Sequence, residues 1–93
     1  MGVLQAKTMT REDIQLLIDS GSEIAEVLAL AIVAIAKVGS ANYEQRVDLD
    51  TLNLIADTLS IQPEPYRSWG IAHRQIRLSF MEVDAVIYAR VNR

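Results

Sequence analysis

Apolar residues recur along most of this chain at intervals of three and four, the spacing that gathers them on one side of an α-helix. Ile14, Leu17 and Ile18 make the first such stripe. Thr10 stands before it as an N-cap, with Glu12 and Asp13 in the first turn, where the helix macrodipole favours acids. Met9 and Ile14 take the two places of a hydrophobic staple. Ser20-Gly21-Ser22 interrupts the pattern, and Ser20 with Glu23 reads as the capping box of a second helix. That helix covers residues 21–38 and stops at Gly39. Ile24, Val27, Leu28, Ile32, Ile35 and Val38 give it a broad apolar face. Its polar strip is only Glu23, Glu26 and Lys37, and Leu30 and Val33 interrupt even that. A helix apolar nearly all round belongs in the middle of a protein or of an assembly.

Residues 39–47 read as a polar loop carrying Tyr43. A third helix is expected over 48–61, with Val47 and Leu52 as a second staple. Pro63 and Pro65 then suit the first turn of a last helix, where their missing N–H groups cost little. Helical spacing gives that segment two apolar faces. Trp69, Ile76, Phe80, Val83 and Ile87 form a core stripe, and Ile71, Leu78, Met81, Ala85 and Tyr88 form a second set opposite. Thirty residues from 63 to 92 would reach about 45 Å as one helix. The pattern therefore predicts an all-α fold: a compact bundle of about four helices, its last helix long and two-faced, assembled as a homo-oligomer. The predicted interface is Leu30, Val33, Ile71, Leu78, Met81, Ala85 and Tyr88.

Composition narrows the class. A chain of 93 residues is expected to be a single domain over 1–93. Met9 offers a second start, which makes residues 1–8 a flexible segment or an expression scar. A hydrophobic content of 51% against 23% charged argues for a folded core rather than disorder. The longest unbroken apolar run, from Val27 to Ala36, is half a membrane span, and no signal peptide is read at the start, so a cytoplasmic protein without membrane contact is expected.

Charge is segregated. Residues 1–66 carry four cations and ten acids, whereas residues 67–93 carry five arginines and two acids. Arg67, Arg74 and Arg77 would share a flank of the last helix and are the candidate anion-binding set, since arginine forks suit phosphate and carboxylate. A net charge of −3 weighs against nucleic acid as the partner and for salt bridging within the bundle.

Little chemistry is encoded. There is no cysteine and a single histidine, His73, so neither a thiolate site nor a multi-histidine metal cage can form within one chain. Asp48-Leu49-Asp50 opens like a calcium loop, but Leu59 stands where the bidentate Glu belongs. No phosphate-binding glycine loop and no nucleophile elbow occur. No catalytic residue, metal or cofactor is assigned.

The layout of long helix, loop, short helix and long helix resembles the small all-helical chorismate mutases. That resemblance implies a site at a dimer interface holding Arg11 and Lys37. The family's arginine midway along the first long helix has no counterpart, because residues 27–31 are all apolar. The function expected from the residues themselves is a non-catalytic helical interaction or assembly module, partnered by itself and by another protein. A nucleic-acid or acidic-ligand binder using the three arginines, and a small dimeric enzyme, are the alternatives.

Overall fold

The computed structural model describes residues 6–39 and 41–91. The chain runs β1 (Lys7–Thr8), α1 (Arg11–Asp19), α2 (Glu23–Val38), β2 (Ala41–Arg46), α3 (Leu49–Thr58), β3 (Glu64–Ser68), β4 (Ile71–Phe80) and β5 (Val83–Arg90). The fold is α/β, not an all-α bundle of four helices. Three helices lie against one face of a mixed five-stranded sheet.

The first two helices begin where their caps dictate. Thr10 accepts from the Asp13 amide at 3.1 Å while the Asp13 carboxylate accepts from the Thr10 amide at 3.0 Å, a closed capping box. Met9 and Ile14 are both buried beneath it. Ser20 belongs to the end of α1, its hydroxyl donating to the Leu17 carbonyl, and the cap of α2 is Ser22, which accepts from the Ala25 amide. Gly39 ends α2 with φ +120°, a conformation open only to glycine, and turns the chain straight into β2. Asp48 caps α3, accepting from the Thr51 amide at 2.7 Å. That helix ends three residues earlier than the sequence predicts. Ser60 takes φ +57°, its amide donates to Asp57, and the Ile61 amide donates to Ala56, which closes a Schellman motif without the usual glycine.

The predicted loop at 39–47 is strand β2, paired in parallel with β5 from Ala41↔Val83 to Arg46↔Tyr88. The predicted last helix is three strands. β3 and β4 are joined through Trp69 and Gly70, both at positive φ, the backbone of a type I′ turn. β4 and β5 are joined through Met81 and Glu82, with positive φ at Met81 alone, as in a type II′ turn. The thirty-residue segment thus folds back on itself inside a body of 36 × 29 × 20 Å. β4 is the centre of the sheet. It pairs antiparallel with β5 on one side, and on the other with β3 at its start and β1 at Leu78 and Ser79.

Ile76, Leu78 and Phe80 of β4 and Val83, Ala85, Ile87 and Ala89 of β5 alternate inward. They meet Leu17, Leu28, Ile32, Leu52 and Ile55 from the helices in one continuous core. No polar or charged residue is buried among the described residues. Trp69, placed by helical spacing in the core, is 97% exposed at the β3–β4 turn.

Candidate functional site

Helical spacing grouped residues that strand spacing separates. Of the predicted interface, Leu78 and Ala85 face inward and fill the protomer's own core. Val33 packs at the edge of that core. Tyr88 lies half-buried on the opposite face of the sheet, and Ile71 is half-buried at the start of β4. Only Leu30, at 53% exposure, and Met81, at 71%, are openly accessible, and they belong to different elements.

The arginine flank divides in the same way. Side chains two apart in a strand share a face. Arg74 and Arg67 therefore lie on the helix side of the sheet, beyond the helices, while Arg77 lies on the other. Arg67 donates to the Gly70 carbonyl at 3.0 Å and braces its own turn.

The sheet face without helices is a mixed surface. Tyr66 and His73 stack with centroids 4.9 Å apart and planes 19° apart, and Tyr88 approaches His73 at 6.4 Å and 57°. His73 Nδ1 lies 2.9 Å from the Ile71 carbonyl; a carbonyl only accepts, so this nitrogen carries the proton. Burial in this cluster pushes the Tyr66 hydroxyl above its ordinary range, and Tyr88 and Glu44 add to the effect. The register surrounds the rings with Arg46, Arg77 and Arg90 and with Glu44, Glu64 and Asp84, three charges of each sign. No single class of ligand is selected by such a balance.

Two other features are more selective. The first is the outer face of α2. Ile24, Val27, Ala31, Ala34 and Val38 follow each other at steps of three, four, three and four, all within about 80° around the helix, and Leu30 widens the stripe. These positions point away from the core. Ile24 is 43% exposed, Val27 58% and Val38 85%.

The second is a cleft of about 390 Å³ between the start of α1, the end of α2 and the β4–β5 turn. Ile14, Val33, Ala36, Phe80 and Met81 supply apolar walls, and Arg11, Gln15 and Lys37 supply the polar groups. The capping box fixes Arg11 on the first residue of α1, and the turn at Gly39 keeps Lys37 in the last turn of α2. The tertiary fold alone brings these two cations, 26 positions apart, to one cavity. Sequence reasoning gave Tyr66 no role, set Trp69 in the core, and joined Arg11 to Lys37 only through the family resemblance, without Phe80 or the walls of the cleft. The only local signal was Gly70, a residue that suits the positive φ of a tight turn.

Among the described residues no three His, Cys, Asp or Glu side chains lie together as metal ligands, and no helix is long and apolar enough to cross a membrane. No protein-family model matches the chain, no curated protein matches it, and no solved structure matches it.

Proposed function

We propose that this protein is a non-catalytic interaction and assembly module that pairs with a second copy of itself through the outer face of α2. The observation that carries the reading is the stripe Ile24, Val27, Leu30 and Val38, apolar, exposed and regularly spaced on a helix whose opposite side is already packed. A helix at the surface of a lone domain needs one apolar face, and a second one costs solubility unless it is covered. Ala31 and Ala34 at the middle of the stripe let a second helix approach closely, with the larger side chains interlocking toward either end. Two copies arranged about a two-fold axis present the same stripe to each other, which closes the assembly at a dimer.

Light scattering after size exclusion tests this. The wild type is expected at twice the 10.4 kDa chain mass. Val27→Glu should return it to the mass of one chain with its circular dichroism and melting cooperativity intact, because Val27 is 58% exposed and lies outside the buried core. A wild type that stays at the mass of one chain at high concentration overturns the proposal.

A further inference from the structure

The cleft between α1, α2 and the β4–β5 turn lies on a different side of α2 from the dimer stripe and has a different character. At about 390 Å³ it falls toward the small end of ligand pockets, which span about 300–1,000 Å³. Among the described residues its lining holds two cations and no acid, on a chain whose net charge is −3. Among the described residues neither the Arg11 nor the Lys37 side chain has a hydrogen bond or an ion pair, whereas Lys7 pairs with Asp13 at 3.5 Å. Acids are plentiful elsewhere in the helical part of the molecule, Glu12, Glu23 and Glu26 among them, yet none lines this cavity. Phe80, only 8% exposed, forms a buried floor, and Ile14 is equally buried beside it.

We infer that this cleft binds a small aromatic carboxylate, its ring system on Phe80, Ile14 and Val33 and its carboxylate between Arg11 and Lys37. The arginine can offer two parallel N–H donors to the carboxylate oxygens, and the lysine adds a second positive charge. At about 390 Å³ the cleft has room for one or two fused rings. The Gln15 side-chain amide nitrogen already donates one hydrogen to Asp19 at 2.9 Å, and its carbonyl oxygen can accept from a polar substituent on the ligand.

The test is a heteronuclear NMR titration of the whole protein with 2-naphthoate, its neutral isostere 2-naphthamide, and acetate. The expected result is saturable shifts at Ile14, Ala36, Phe80 and Met81 with 2-naphthoate, about tenfold weaker binding of the amide, and no site-specific shifts with acetate. Arg11→Gln and Lys37→Gln should each weaken 2-naphthoate several-fold while leaving the amide unchanged, and neither exposed substitution should alter the fold. Equal affinity for acid and amide would make the cleft an apolar trap and overturn the assignment, as would equal shifts with acetate. Shifts at the same residues on raising protein concentration alone would mean that a second copy fills the cleft, which also overturns it. The Val27→Glu protein should bind 2-naphthoate as the wild type does, so a failure of the dimer and a failure of this site can be told apart.

Discussion

Among the described residues two surfaces lack a covering layer, and they are built in opposite ways. The outer face of α2 is apolar from Ile24 to Val38, with Glu23 and Lys37 only along its edge. The open face of the sheet is equally bare of helices, but its arginines and acids alternate around a cluster of three rings. The sheet face solves its exposure within one chain. Tyr66, His73 and Tyr88 shield one another, and the charged neighbours keep the rest in contact with water. The helix face has no such device. An uncovered surface is therefore not by itself evidence of a partner; an uncovered surface with nothing to satisfy it is.

The sharpest way to break that comparison is to contrast the two sides of one strand. Ile87 is fully buried beneath the helices, and its neighbour Val86 stands on the open face. Ile87→Ala should cost about 2–5 kcal/mol in denaturant unfolding. Val86→Ala should cost about 0.5–1 kcal/mol, because little packs on it from above. A Val86 cost as large as that of Ile87 would mean that the open face is covered in solution.

A smaller effect tests the ring cluster. Tyr88→Leu keeps apolar area and removes the contact with His73, and the loss should be about 0.5–1.5 kcal/mol. No loss would place the rings among ordinary exposed side chains.

The same cluster predicts an alkaline limit. The folded protein raises the Tyr66 pKa, so it holds that proton more tightly than the unfolded chain does. Stability from this group is unchanged below the ordinary tyrosine pKa of about 10 and falls as pH rises past it. Tyr66→Phe should remove that part of the fall. Asp13 works in the opposite direction. The Thr10 amide, and to a lesser degree Lys7, hold its carboxyl below the usual range, so its contribution is present above about pH 4 and is lost as pH falls through the lowered native value.

The smallest expected change is at the hairpin tip. Trp69 holds φ +54° and buries almost nothing. Trp69→Asn, a residue that tolerates this conformation, should raise the unfolding free energy by about 0.5 kcal/mol. A decrease would show that the indole is packed against something, on this chain or on a partner.

Local sequence signals determined the three helices, Arg11–Asp19, Glu23–Val38 and Leu49–Thr58, but not the strand between the last two. Thr10, Asp48 and Gly39 do their work within a few residues of where they stand. A cap or a staple is a local interaction, so the correct start of α1 and α3 and the end of α2 were legible. The strands were not, because their stabilisation lies in partners far along the chain. In β5 the inward set Val83, Ala85, Ile87 and Ala89 does alternate with Asp84, Val86, Tyr88 and Arg90. But Val86 and Tyr88 are themselves apolar enough to blur period two into something that fits a helix equally well. β2, whose side chains are mostly polar and exposed, carries only Ala41 and Tyr43 as an apolar signal and is a strand because β5 lies beside it. Two-residue turns at Trp69-Gly70 and Met81-Glu82 lack the Asn-Gly that would have announced them. The cleft is the extreme case. Arg11 and Lys37 meet Phe80 only when α1, α2 and the β4–β5 turn have packed together, since no local interaction fixes distances between segments so far apart in sequence. Tertiary packing alone determined that site.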